Sequence, residues 1–220
     1  MNRNNIIVYD FETGGKDPYT CEPIQIAAVA IDPRKLTLGL TFDSLMKPLE
    51  PDKLEEGALQ VNKKTREELA NAPHPELVWK EFATYIAKFN PKGNPFNAPI
   101  GAGFNIRNFD TVLVHRLCEK YGPQKDGKQN LFSNFMIYDV LDDIFRWHEN
   151  TDVLAKFSDS GRADMKFSTI RKYVGLSQEG AHDALNDVLA TGRLLVKLMK
   201  LYRGLFPKIR FEGAFDGTGH

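Results

Sequence analysis

The chain has 220 residues, 42% hydrophobic and 26% charged, with 29 basic residues balanced by 29 acidic ones. A chain of this size can remove roughly 70% of its unfolded surface from water; no apolar run approaches the ~20 residues of a membrane span, no signal-peptide pattern opens it, and cytoplasm is the expected compartment. Two cysteines, Cys21 and Cys118, exclude a disulfide scaffold and a four-cysteine zinc site, while zero net charge means that any contact with phosphates needs local patches or metal ions.

The first 45 residues read as strands. Ile6 to Phe11 is an apolar run too short for a helix, and Gly14, Gly15, Asp17 and Pro18 mark the loop that follows it. Pro23 to Ile31 is a second run and Leu36 to Leu45 a third, joined by a turn at Asp32-Pro33-Arg34-Lys35. Such short connections predict an antiparallel meander. From residue 52 the period becomes helical. Short helices are expected around Leu54 to Val61 and Thr65 to Ala70, and a longer amphipathic one over Glu76 to Phe89, where Leu77, Val78, Phe82, Tyr85, Ile86 and Phe89 share a face. Asn90 to Asn97 is a loop, and Ala98 to Phe104 a buried strand with close-packed glycines at Gly101 and Gly103. Phe109 to Tyr121 is helical and stops at Gly122-Pro123; Gln124 to Asn130 is expected to be polar and exposed. A strand within Leu131 to Asp139 leads to a helix through Val140, Ile144, Phe145 and His148, and residues 149–165 read as loop. A short helix over Phe167 to Val174 ends at Gly175, and the last helix runs from near Ala181 to about Leu201. Strands first, then alternating helix and strand, predict one α/β domain with a mixed sheet over residues 1–210, followed by a Gly-rich, flexible C-terminal tail at 211–220.

Carboxylates gather at the ends of these elements. Asp10 and Glu12 sit two apart where the first strand finishes, so both point to one face. Asp110 opens the helix after the 98–104 strand, where capping alone would also favour an Asp. His182 and Asp183 stand at the mouth of the last helix, with Asp187 four residues beyond Asp183 on the same face. Each segment alone has a structural explanation: a polar loop start, a helix cap, a solvated charge. Other features are weaker. Gly101-Ala102-Gly103 lacks a third glycine for a dinucleotide fingerprint, His115 and Glu119 have no third ligand, and Asp139, Asp142 and Asp143 could line the cleft, though capping and solvation explain them. The basic run from Arg193 to Arg210 and the trio Lys63, Lys64 and Arg66 read as solvated faces or as phosphate patches.

Taken together and in order, the segments Asp10-Phe11-Glu12-Thr13-Gly14-Gly15, Gly103-Phe104-Asn105-Ile106-Arg107-Asn108-Phe109-Asp110 and His182-Asp183-Ala184-Leu185-Asn186-Asp187 resemble the three signatures of the DnaQ-like, or DEDDh, 3′–5′ exonuclease superfamily. The interval from Gly103 to Asp110, with Pro23-x-Gln25-x-Ala27, is similar to the nuclease domain of the exonuclease I subgroup. The resemblance covers residues 6 to about 203 and leaves no room in the given sequence for that subgroup's further C-terminal domains, so its processivity is not carried over.

The resemblance implies an RNase H-like fold, here a mixed five-stranded sheet (antiparallel meander, then parallel strands) flanked by helices. It also implies two-metal-ion hydrolysis of phosphodiester bonds, with two Mg²⁺ or Mn²⁺ ions held by Asp10, Glu12, Asp110 and Asp187, Asp10 bridging and His182 as general base. The family pattern selects Asp187 over its rival Asp183. Thr13, Gly14, Asn105 and Phe109 are the implied substrate contacts, with the Thr13-Gly14 backbone beside the terminal sugar. The expected activity releases 5′-mononucleotides from single-stranded DNA. RNA 3′-end trimming is the alternative, as by an exoribonuclease or oligoribonuclease. A polymerase-associated proofreading module is another, with a polymerase or other replication protein as partner and Phe211 and Phe215 as a docking peptide. No membrane partner is expected.

Overall fold

The computed structural model describes residues 4–151, 163–177 and 182–205. Three strands open the chain: β1 (Ile6–Thr13), β2 (Pro23–Asp32) and β3 (Thr37–Leu45). Then come α1 (Glu56–Asn62), α2 (Arg66–Ala70), α3 (Pro75–Ala87), β4 (Ile100–Gly103) and α4 (Asp110–Tyr121). A small hairpin, β5 (Gln124–Lys125) and β6 (Lys128–Gln129), precedes β7 (Ile137–Asp139), α5 (Val140–Thr151), α6 (Phe167–Tyr173) and α7 (Ala184–Leu205).

The main sheet has five strands in the order β3-β2-β1-β4-β7. β1 pairs antiparallel with β2, and β2 with β3, as two short connections dictate; β4 and β7 join parallel after helical crossovers. This is the mixed five-stranded sheet expected from the sequence. The alternation of β1 explains the two layers around it. Ile7, Tyr9 and Phe11 point into a core with Trp79, Phe82, Leu113 and Phe132. Ile6 and Val8 point the other way, into a core with Val29, Ala102, Val188, Leu194 and Leu195. Each large side chain buried this way contributes about 1.5–3 kcal/mol. Asp10 and Glu12 continue the Ile6–Val8 phase, so the carboxylate pair stands on the face that α7 covers.

Several boundaries differ from the sequence reading. Gln124 to Asn130 is polar and, apart from Gln129, exposed as expected, but it is paired into a hairpin: Asp126 and Gly127 both have positive φ at its turn. Gln129 is buried, and its side chain serves Leu131, Phe132 and Asn134. Every residue from Gln124 to Asn130 is polar or glycine, so the strand pair leaves no hydrophobic mark. Residues 149–151 belong to α5, and α7 continues four residues past Leu201, which is itself exposed. The remainder of the expected loop at 152–162, and the tail at 211–220 with Phe211 and Phe215, lie outside the described residues. Cys118 is buried as expected, and burial pushes its thiol up to about 12, where it is inert. No helix of the described chain is long and apolar enough to cross a membrane.

Candidate metal centre

Two elements bring three carboxylates together at the C-terminal end of β1. Asp10 and Glu12 come from β1 itself, and Asp187 from the first turns of α7, which packs across β1 and β2. Among the described residues these three form a group that could hold a metal ion, with one oxygen from each lying within 4.8 Å of the others. At that separation and an effective dielectric near 20, each like-charged pair costs about 3.5 kcal/mol. The carboxyls respond by holding protons. Burial, then Asp110, Glu12 and Asp187, keep the Asp10 carboxyl well above its usual range. Burial and the neighbouring acids push Glu12 up to about 8. An all-oxygen set carrying this much uncompensated charge is the kind of donor set that fits a divalent cation.

Asp110 borders this triangle rather than completing it. It is 4% exposed at the start of α4, its Oδ1 accepts the Phe11 backbone N–H at 2.9 Å, and burial pushes its carboxyl up to about 7. That bond locks α4 to the strand carrying Asp10 and Glu12. The loop leading to Asp110 is held in turn by buried Asp139, which accepts from the backbone N–H groups of Asn105, Arg107 and Leu141. Gly103 is required where that loop leaves β4, since a Cβ there would lie 2.1 Å from Ile106 Cγ2 and 2.9 Å from the Tyr9 carbonyl oxygen. Asp139 reads from sequence as a cap. The bond from Leu141 is that cap, while the hold on Asn105 and Arg107 carries no signal short of the folded geometry.

Asp183 and Asp187 occupy different positions. Asp183 Oδ1 accepts from the Asn186 backbone N–H, as a helix cap does, and its Oδ2 lies 3.8 Å from Lys64 Nζ. Asp187 faces Asp10 and Glu12. His182 is exposed at the mouth of the cleft with φ +64°, a left-handed conformation in which His is enriched among non-glycine residues, and its backbone N–H donates to Asp187 Oδ2 at 3.2 Å.

The expected substrate residues are placed unevenly. Thr13 is buried, its hydroxyl donates to the Gly15 carbonyl, and its own carbonyl accepts from buried Asn62. Gly14 exchanges backbone bonds with Glu22 and Glu55, and a Cβ there would come within 2.3 Å of Leu54 Cδ2. Asn105 is exposed with φ +60°, and Phe109 is partly buried against the aromatic core. Of the basic trio, Lys64 lies beside Asp183 and Arg66 pairs with Glu56. In the C-terminal basic run Arg203 donates instead to the Pro33 and Arg34 carbonyls, and Lys197 and Lys200 are exposed.

Arg171 is the site residue that sequence reasoning missed. It is 3% exposed, and its Nη1 donates to Asp187 Oδ1 at 2.5 Å. The available signal was its spacing, four residues after Phe167 on the inward face of α6.

Comparison with known proteins adds to this geometry. The model of the family RNase_T, described as Exonuclease, matches residues 7–195. Exodeoxyribonuclease I of Escherichia coli (strain K12) is 23% identical over 218 residues, an alignment covering 94% of this chain and 42% of that protein. Among solved structures, E. coli exonuclease I in complex with a dT13 oligonucleotide superposes with a TM-score of 0.73 at 21% identity, over 94% of this chain and 43% of the other. A moderately thermophilic exonuclease I from Methylocaldum szegediense gives a TM-score of 0.70 at 22% identity, over 94% and 42%. These neighbours place the fold as RNase H-like. The chain spans less than half the length of the relatives it matches.

Proposed function

The chain belongs to the RNase_T exonuclease family, and from that membership we propose that it is a metal-dependent 3′–5′ exonuclease that hydrolyses single-stranded DNA to 5′-mononucleotides. The observation that carries the proposal is the triangle of Asp10, Glu12 and Asp187, with oxygens within 4.8 Å of one another and exposed His182 at its mouth. Asp10, Glu12 and Asp187 would hold two ions, with Asp110 as the fourth carboxylate. Bound Mg²⁺ or Mn²⁺, the ions that an all-carboxylate set suits, supplies positive charge to the scissile phosphate and the leaving oxygen.

The remaining work falls to the chain. The His182 imidazole takes a proton from the attacking water as the new oxygen–phosphorus bond forms. The bond from phosphorus to the 3′-oxygen of the next nucleotide breaks, and that oxygen leaves as the new 3′ end once protonated from solvent. His182 is tied to the acidic cluster through its own backbone N–H, which donates to Asp187. Lys64, beside Asp183, offsets part of the negative charge at the rim. Thr13, Gly14, Asn105 and Phe109 are the proposed contacts to the terminal nucleotides. Polarity rests on the resemblance of the three acidic motifs, and single-stranded DNA on the relative solved with a dT13 oligonucleotide. A replication protein or polymerase is the proposed protein partner.

The test uses matched single-stranded DNA and RNA oligomers with Mn²⁺. A 5′-label should give a descending ladder and a 3′-label an immediate mononucleotide. A 5′-label released first would refute the polarity, and shortening of RNA alone would refute the substrate.

A further inference from the structure

A buried arginine beside a cluster of acids calls for an explanation. Arg171 lies on α6 with 3% of its side chain exposed, and every arm of its guanidinium is engaged. Nε donates to the Ser177 carbonyl at 2.8 Å, Nη2 donates to the same oxygen, and Nη1 donates to Asp187 Oδ1. The Phe167 ring lies 5.6 Å from the guanidinium carbon and packs in turn on Phe104, at the end of the strand that leads to Asp110. A planar fork fixed at three points and stacked on a ring has little freedom to swing. Such a group sets the orientation of whatever it grips.

What it grips is one oxygen of Asp187. The other oxygen, Oδ2, accepts the His182 backbone N–H. A carboxylate offers about four lone-pair sites, so these two bonds fix its plane and leave the others free to face Asp10 and Glu12. We propose that Arg171 is a positioning residue that holds the Asp187 carboxylate in the orientation needed to ligate a divalent cation, an inference that rests on the metal site proposed above. Carboxylates that bind metals are themselves held by hydrogen bonds, and loss of such support costs about 10- to 100-fold in metal affinity. Charge alone acts in the opposite direction: removing a cation from an acidic cluster strengthens its attraction for Mn²⁺. The sign of the effect therefore separates orientation from electrostatics.

The experiment is Mn²⁺ titration of the full chain by calorimetry, with folding verified by circular dichroism, for the wild type, Arg171→Met and Arg171→Lys. Arg171→Lys keeps the charge without the fork and serves if Arg171→Met does not fold. Both are expected to bind Mn²⁺ about 10- to 100-fold more weakly than the wild type. In an Asp187→Asn background, Arg171→Lys should weaken binding no further. Unchanged or tighter binding by a folded Arg171 variant, or a full loss in the Asp187→Asn background, overturns the positioning role. A wild type that binds no Mn²⁺ instead overturns the metal site itself.

Discussion

Asp10→Asn should make the metal-free protein more stable while abolishing its activity. The substitution keeps the shape of the side chain and removes a charge that lies within 4.8 Å of Glu12 and Asp187. One such pair costs about 3.5 kcal/mol at an effective dielectric of 20. Halving that for water entering an open cleft leaves ~2 kcal/mol, which for a chain of this size corresponds to about 4–8 °C in melting temperature. The pH dependence has a fixed sign. Carboxyls with raised folded-state pKa values hold protons that the unfolded chain has already released, so the native state is penalised increasingly as pH rises above the ordinary carboxylate range. Burial and the neighbouring acids place the folded Glu12 at about 8 and Asp10 well above its usual value, so the penalty should be small near pH 5 and grow through pH 8. Thermal melts in EDTA at pH 5, 6.5 and 8 should therefore show a gap between Asp10→Asn and the wild type that widens with pH. Saturating Mn²⁺ should narrow or reverse it by stabilising only the wild type, by about 2.7 kcal/mol at a hundred times its Kd. A variant that melts at or below the wild type in EDTA at pH 8 would refute the electrostatic account of the cluster.

Three further substitutions probe separate parts of the site. His182→Asn, chosen because Asn tolerates the left-handed φ at that position, should lower kcat by ~10²–10⁴ and leave Mn²⁺ affinity within a few-fold of wild type, as single-turnover kinetics and calorimetry would measure. Asp139→Ala strips the shared acceptor from two backbone N–H groups of the Asp110 loop and one in the first turn of α5, and should cost about 1–3 kcal/mol in denaturant unfolding, with a parallel loss of cleavage rate. Gly103→Ala forces a Cβ against the Tyr9 carbonyl as well as Ile106, and overpacking of this kind should lower stability by about 1–3 kcal/mol; an unchanged melt would show that the loop has room to give.

The opening meander and the acidic pair were legible because Ile6 to Phe11 is an apolar run too short for a helix: once it is a strand, period two puts Asp10 and Glu12 on the Ile6–Val8 face. Asp187 was legible only through the family pattern, since Asp183 fits the same helical face and becomes a cap only when Asn186 donates to it. Other features depend on tertiary closure. Asp139 supports a loop that begins 34 residues earlier in the chain, at Asn105. Arg171 reaches across from α6 to α7, and neither partner marks the other in sequence. The β5–β6 hairpin is polar throughout, so no hydrophobic pattern announces it, and the buried Gln129 side chain at its end holds Leu131 and Phe132. Apolar periodicity reports layers; polar groups that hold loops are defined by what they meet.

Anomalous diffraction from crystals of the protein soaked with Mn²⁺ tests the central claim most directly. Manganese peaks should stand about 2.1 Å from carboxylate oxygens of Asp10, Glu12 and Asp187. Crystals that show manganese elsewhere, or none between these three side chains, would contradict the metal centre and the hydrolytic mechanism built on it.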